Sequence, residues 1–329
     1  MKVLFIGGTG NISTESSLLC VQLGIELTLL TRGNRGVAIP GAKFIVGDIN
    51  QKSTQEQLAK QQWDAVVNWI AFTAEDVERD IKLFSKNTNQ YVYISSASCY
   101  QKPVSNPIIT ESTPLANPWW QYSRDKIAGE DALTKAYRET GFPICIVRPS
   151  LTYDTVIPLP IGAWTHYNVI ERIKQGKPII VQGDGTSLFT ITHASDFAKG
   201  FVGLLGRQTT IGHAFHITSD ESLNWDQINL AVAAAVGIKP NIVHIPSDFI
   251  CHVAPDYTGT LLGDKSHSVI FDNRKIKQFV PDFCPSTPFN IGIQQTLDWF
   301  AEKPERQIID HQAEALSDKI IKQYQQAFN

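Results

Sequence analysis

The first thirteen residues constrain the fold most. Lys2–Ile6 is a short, apolar, partly β-branched run that ends at Gly7-Gly8-Thr9-Gly10-Asn11-Ile12-Ser13 and leads at once into a helix-like stretch, Ser13–Leu23. A buried strand that turns this sharply into a helix needs residues without a Cβ, and Gly7 and Gly8 meet that need. Gly10 lets an anionic group approach the backbone, and the helix behind it offers free N–H groups and the positive end of its dipole. A third glycine at position 13 would bring helix and strand closest together. Ser13 adds only a CH2–OH, and its hydroxyl is expected to cap the helix or reach a phosphate.

The alternation continues. Strand-like runs recur at Glu26–Leu30, Lys43–Val46, Ala65–Asn68, Tyr91–Ser95 and Ile144–Arg148, and helical stretches lie between most of them at Thr54–Gln61, Ala74–Ser85 and Tyr122–Glu139. Strands separated by helices pair in parallel through crossovers, so the expected fold class is α/β, a Rossmann-type doubly wound parallel sheet. Ligands of such sheets bind beyond the carboxyl ends of the strands. In that setting the glycine loop becomes strong evidence for a dinucleotide.

From Leu151 the character changes to a Pro- and aromatic-rich stretch, "TYDTVIPLPIGAW", followed by a helix-like Asn168–Gln175 and "GKPIIVQGDG". The predicted organisation is a dinucleotide domain of 1–150 plus about 187–218, a smaller C-terminal substrate lobe of 151–186 plus about 219–310, and a packing helix over 311–329. Leu223–Val236 is expected to be a helix of the lobe. Leu316, Ile320, Tyr324 and Phe328 recur every four residues, the stripe of a helix that packs on one face.

Bulk properties exclude several function classes. With 329 residues and 43% hydrophobic content the chain has ample core, and a net charge of −3 without long like-charged blocks argues against a polyanion-binding surface. Cys20, Cys99, Cys145, Cys251 and Cys284 are odd in number and far apart, and the histidines lack metal-ligand spacing, so neither a disulfide framework nor a metal site is expected. The N-terminal apolar run is too short for a signal peptide, and no segment reaches the ~18 apolar residues of a membrane span. The expectation is a soluble cytoplasmic protein.

Two further stretches carry chemistry. The second strand ends in "LLTRGNRG", where Thr31, Arg32 and Arg35 stand without the carboxylate that would bind the ribose hydroxyls of NAD. Two guanidinium groups suit a 2′-phosphate, so NADP is favoured over NAD. Asp48, after the third strand, is placed either to accept from an adenine amino group or to hold a turn. In "WWQYSRDK", Tyr122 and Lys126 lie four apart and share one helix face. An adjacent ammonium favours phenolate, and hydroxyls from "SSAS" at the preceding strand end would orient a substrate oxygen.

With "GGTGNIS", "GDI", "ISSASCY", "YSRDK", "VRPS" and "GDGTSLFTITHASDFA" in place, the chain resembles the extended short-chain dehydrogenases/reductases, the NAD-dependent epimerase/dehydratase family, from Met1 to about Phe300. The resemblance implies catalytic roles for Ser96, Tyr122 and Lys126, with Ser95 and Ser98 as alternative hydroxyls. It implies cofactor contacts at Gly7, Gly10, Asn11, Ile12, Thr31, Arg32, Arg35, Asp48, Ile49, Ala71, Lys126 and Pro149. It also implies a homodimer through Ala74–Ser85 and the helix of Tyr122.

Departures from the family pattern bear on the substrate. Ala97 and Ser98 replace the acidic residues of sugar dehydratases, and Phe189 fills a position where sugar-nucleotide enzymes place an arginine. Phe72, Trp119, Trp120, Tyr153 and Trp164 would form an apolar or ring-stacking pocket instead or pack the core of the lobe, and Ser98 is a further substrate candidate beside them. "DAVVNWIAFTAEDVERDI" and "FDNRKIKQFVPDFCPSTPFNIGIQQTLDWF" resemble a bacterial subgroup related to chloroplast stem-loop RNA-binding proteins. The expected function is an NAD(P)-dependent oxidoreductase or epimerase acting on a carbonyl or secondary alcohol, with a sugar or sugar-nucleotide derivative among the candidate substrates. The alternative is a cofactor-sensing or RNA-binding protein of the same fold.

Overall fold

The computed structural model describes residues 1–34 and 36–327. The phosphate contact expected of Arg35 and the Phe328 end of the C-terminal stripe lie outside the described residues. Seven parallel strands form one sheet: β1 (Lys2–Ile6), β2 (Glu26–Thr31), β3 (Lys43–Val46), β4 (Ala65–Asn68), β5 (Tyr91–Ile94), β6 (Ile144–Pro149) and β7 (His213–Ile217). Their order is β3-β2-β1-β4-β5-β6-β7.

Helices α1 (Ser13–Gln22), α2 (Lys52–Ala59), α3 (Ala74–Phe84), α4 (Gln121–Thr140) and α5 (Ala194–Leu204) cover both faces. Alternate strand residues point to opposite sides, which divides the core in two. Val3, Phe5 and Leu29 meet Cys20 of α1 and Phe197 and Phe201 of α5. Leu4, Ile6 and Tyr93 meet Leu58 of α2, Val77 of α3 and Leu133 of α4. The strand order reverses at β1, between β2 and β4, and the loops after β1 and β4 flank the crevice where such sheets bind ligands. Gly8 shows why the first loop needs glycine. Its φ is +107°, and a Cβ there would lie 2.7 Å from Leu29 Cδ2.

Residues beyond β6 build a second apolar cluster in which Tyr153, Phe189, Trp225, Phe289 and Ile293 are buried. Leu151–Tyr153 pairs in parallel with Ile191–His193, and Pro178–Gln182 with Asn241–Ile245. Two boundaries differ from the sequence expectation. Leu188–Phe189 still pairs within the lobe, antiparallel to Leu223–Asn224, so the return to the main sheet runs through α5 and β7. The helix expected over Leu223–Val236 begins at Trp225, because Asn224 and Gln227 form a capping box that ends the short strand there.

The C-terminal helix, His311–Gln326, packs Ile320 and Ile321, with Leu316 and Tyr324 beside them, against Ile245, Ile250 and Leu261. Arg172 ties it down through Glu314 (2.9 Å) and Asp318 (2.8 Å). Among the described residues, no helix is long and apolar enough to cross a membrane.

Candidate active site

α4 presents Tyr122, Lys126 and Glu130 on one stripe, each four residues after the last. Gly129 lets this helix lie close to β5, since a Cβ there would stand 2.7 Å from the Tyr93 hydroxyl. Opposite the stripe, β5 ends at Ile94 and runs through Ser95 and Ser96 into a 3-10 turn, Ala97–Cys99. The backbone therefore brings the strand-end hydroxyls to the phenol and the ammonium.

The structure distinguishes among the three serines. The Ser95 hydroxyl donates to Glu130 Oε1. The Ser98 hydroxyl is shared between those of Ser96 (2.8 Å) and Ser123 (2.7 Å). Ser96 is the one whose hydroxyl acts on the Tyr122 phenol: burial pushes the phenol up to about 12, and the neighbouring Ser96 hydroxyl works against that rise.

Lys126 is 2% exposed, and its Nζ donates to Ala71 O (2.6 Å) and Ile94 O (2.8 Å). An ammonium has three N–H donors, so one remains for a ligand. Its charge also lies 4.5 Å from the Phe72 ring, 5.0 Å from Tyr93 and 5.8 Å from Tyr122. Burial lowers its pKa to about 8. At neutral pH the pair is therefore a protonated phenol beside a charged ammonium.

Glu130 and Arg148 did not emerge from the sequence reading. Arg148 Nε donates to Glu130 Oε1 at 2.9 Å and Nη2 to Oε2 at 2.5 Å, with both side chains buried. This pair fastens the reactive helix to the ends of β5 and β6. The available signal was the spacing, since Glu130 continues the Tyr122–Lys126 stripe by one more turn and Arg148 lies in "VRPS".

At the loop end of the crevice, Ser13 Oγ accepts from Gly10 N at 2.8 Å. The helix N-cap is Ile12, with no side-chain cap bond. The Ser13 hydroxyl thus turns back onto its own loop instead of capping α1. Asn11 Nδ2 donates to Thr152 O (2.8 Å), tying the loop to the lobe, while its buried Oδ1 has no partner among the described residues.

Thr31 closes β2, and Arg32 follows it, exposed and without an ion pair among the described residues. Asp48 Oδ1 accepts from Asn50 N at 2.9 Å, the arrangement of a turn aspartate. Ile49 and Ala71 are buried, and Ala71 reaches the site through its carbonyl. Pro149 ends β6 opposite Ile217.

The expected substrate wall is only partly assembled. Trp120 lies 5.1 Å from the Tyr122 ring and Phe72 6.3 Å, while Trp119 stands 6.1 Å from His267. Tyr153 requires a correction. It is fully buried in the lobe core between His193 and Phe289, and its hydroxyl faces Phe289 O at 3.5 Å, so it packs the lobe instead of lining a pocket. Trp164 lies exposed on the lobe. Ser98 is buried, with its hydroxyl occupied by two other serines.

A seven-stranded parallel sheet with a glycine loop at its switch point and a Ser/Tyr/Lys constellation at its carboxyl edge defines a nicotinamide-type redox fold. Residues 3–218 match the NAD dependent epimerase/dehydratase family, and the chain belongs to that family. It is 28% identical over 265 residues to the chloroplast stem-loop binding protein of 41 kDa b of Arabidopsis thaliana, covering 75% of this chain and 67% of that protein. It is 22% identical over 291 residues to the 2'-dehydrokanamycin reductase of Streptomyces kanamyceticus, covering 86% and 80%. Among solved structures, the dTDP-glucose 4,6-dehydratase of Bacillus anthracis str. Ames in complex with NAD superposes with a TM-score of 0.73 at 19% identity, covering 92% or more of both chains: 93% of this one and 98% of that one. The chain is accordingly an enzyme of the NAD-dependent epimerase/dehydratase type.

Proposed function

We propose that the protein transfers hydride between a nicotinamide dinucleotide and a carbonyl or secondary alcohol, with Tyr122 moving the proton. The observation that carries this is the Tyr122 phenol set near the Ser96 hydroxyl and beside buried Lys126, at the sheet edge next to the glycine loop. A bound nicotinamide would supply or receive the hydride. Gly7, Gly8 and Gly10 would admit its diphosphate, and the N–H left over on Lys126 would hold its ribose. The unpartnered Asn11 Oδ1 supports a ligand in this loop. Ser96 orients the substrate oxygen. A phenol protonated up to about 12 is a proton donor at neutral pH, which suits net reduction of a carbonyl.

NADP is the favoured cofactor, because Arg32 is exposed at the end of β2, has no ion pair among the described residues, and no carboxylate follows the strand there. The dehydratase named above holds NAD, so titration with both cofactors is the deciding measurement. A tenfold preference for NAD(H) would reject the role given to Arg32. For the substrate, the aminoglycoside ketone implied by the reductase relative and the sugar nucleotide of the dehydratase both point to a carbohydrate carbonyl. α3 and α4 pack side by side on one face of the sheet, and these are the two helices through which the family resemblance implies a homodimer.

The stem-loop binding relative favours a second reading, RNA binding on the same fold. Against it stand the net charge of −3 and the complete Ser/Tyr/Lys set. The reaction is tested with Tyr122→Phe, assayed for NADPH oxidation over a panel of ketones alongside cofactor titration. Unchanged turnover would reject the reading. A salt-dependent RNA complex, with no oxidation by the wild-type chain, would install the second one.

A further inference from the structure

A second charged cluster, unused by the hydride chemistry, lies beside Tyr122. The turn Leu261–Lys265 has π-helical hydrogen bonding, a form that often marks functional sites. Asn117 clamps it to the serine turn, with Nδ2 donating to Ser98 O (2.9 Å) and to Gly263 O (2.7 Å). Gly259 and Gly263 both abut Trp120, where an added Cβ would come within 2.3 and 3.0 Å of its side chain.

This turn brings two buried lysines together. Lys102 is 3% exposed and Lys265 8%. Asp264 stands between them, 3.8 Å from Lys102 Nζ and 3.1 Å from Lys265 Nζ. It is the single carboxylate that either one pairs with among the described residues. His267, which donates from Nε2 to Leu262 O, is neutral or cationic and supplies no counter-charge.

With both lysines protonated, the cluster carries one positive charge more than its carboxylate balances among the described residues. An uncompensated charge in a site of low dielectric is expensive, and a purely structural pair would need only one lysine. Lys102 also donates to Tyr100 O. Beyond Asp264, the Lys265 ammonium meets ring faces among the described residues, Trp120 at 5.6 Å and Phe189 at 5.8 Å. Trp120 in turn touches Tyr122, and the charge of Asp264 reaches the phenol. The unbalanced charge thus lies one indole ring away from the reacting group.

We propose that Lys265, backed by Lys102, receives an anionic oxygen group of the substrate, a carboxylate or a phosphate ester, carried several bonds from the carbonyl that Tyr122 protonates. Asp264 holds the two ammoniums in place and sets how strongly they attract. The proposal rests on the oxidoreductase reading for the word "substrate", whereas the anion site itself can be tested without turnover.

The 329-residue chain is titrated with succinate, with inorganic phosphate and with uncharged succinamide, following tryptophan fluorescence. One series contains NADP+ so that anions are kept from the glycine loop, and a parallel series omits it. At least one anion is expected to bind, and succinamide is not. Lys265→Gln should weaken the anion at least about tenfold, the loss expected when one partner of a buried charge pair is removed. Asp264→Asn should tighten it, because the ammoniums lose their competing carboxylate.

These opposite signs cannot both arise from misfolding, and thermal melts of each variant check the fold. Binding of succinate alone assigns a carboxylate substrate, and binding of phosphate alone a phosphate ester. The proposal is overturned if neither anion binds, or if both variants bind as the wild type does. Failure of every ketone to oxidise NADPH would reject the oxidoreductase reading and leave the titration standing.

Discussion

The two ends of the proposed cofactor crevice are built in opposite ways. At the reactive end, Ser96, Tyr122 and Lys126 are held by buried hydrogen bonds, by carbonyls from two strand ends and by the Glu130–Arg148 pair. At the adenosine end, Thr31, Arg32 and Asp48 sit at strand termini and in turns, with Arg32 exposed and Asp48 engaged only locally. Groups that must meet a reacting atom are thus positioned by packing, which tolerates little error. Groups that discriminate between cofactors act as exposed charges, weakened by solvent and easily exchanged. Substitutions at the first end should therefore abolish chemistry, and those at the second should retune affinity.

Tyr122→Phe makes the sharpest break. Turnover is expected to fall about 10²–10⁴-fold, the range for a lost general acid, with cofactor affinity nearly unchanged by equilibrium titration. A parallel loss of cofactor binding would mean that the phenol serves to bind and not to react. Next comes Glu130→Ala, which strands the buried Arg148 guanidinium. Removing one partner of such a pair costs about 3–5 kcal/mol, visible as a lowered denaturation midpoint, and kcat should fall with it as α4 loosens from β5. A variant as stable as the wild type would show that the pair does not anchor the helix.

At the open end, Arg32→Ala should weaken NADP(H) by about tenfold, the scale of one charge-assisted phosphate contact, and leave NAD(H) almost untouched. Equal effects on both cofactors would move Arg32 away from the 2′-phosphate. The smallest effect near neutrality is on pH dependence. The Lys126 ammonium loses its proton above about 8, while the phenol stays protonated to about 12. Reductive kcat/KM should therefore be flat below about pH 8 and fall above it.

The stability linkage of Lys126 has the opposite sense. Between about 8 and the unfolded lysine value near 10.4, the unfolded chain binds more protons at this group. Its burial penalty therefore fades as pH rises through that window, and a stability profile that drops there would contradict the buried charge.

How far the sequence could be read follows from the range of the interactions involved. Strand positions such as Lys2–Ile6 and Ala65–Asn68 and the extent of α4 could be read within a residue or two, because apolar periodicity and glycine turns are local. Tyr122 and Lys126 could be paired because a helix repeats every turn. Whether Tyr153 and Ser98 face a pocket or a core could not be decided from the sequence, since a tyrosine or serine near a strand end looks alike in either place. The roles of Glu130 and Arg148 depended on two segments 18 residues apart meeting across a strand end.

The sequence by itself determined the parallel α/β architecture, the glycine loop, the Tyr/Lys spacing and the absence of a carboxylate after β2, because each is written in neighbouring residues. Only the tertiary structure decided which serine meets the phenol, where the Ser13 hydroxyl points, and that Lys102, Asp264 and Lys265 share one buried site. Those outcomes depend on desolvation and on contacts between distant segments. Burial costs and pairing exist only once the chain has closed on itself, and no local pattern encodes them.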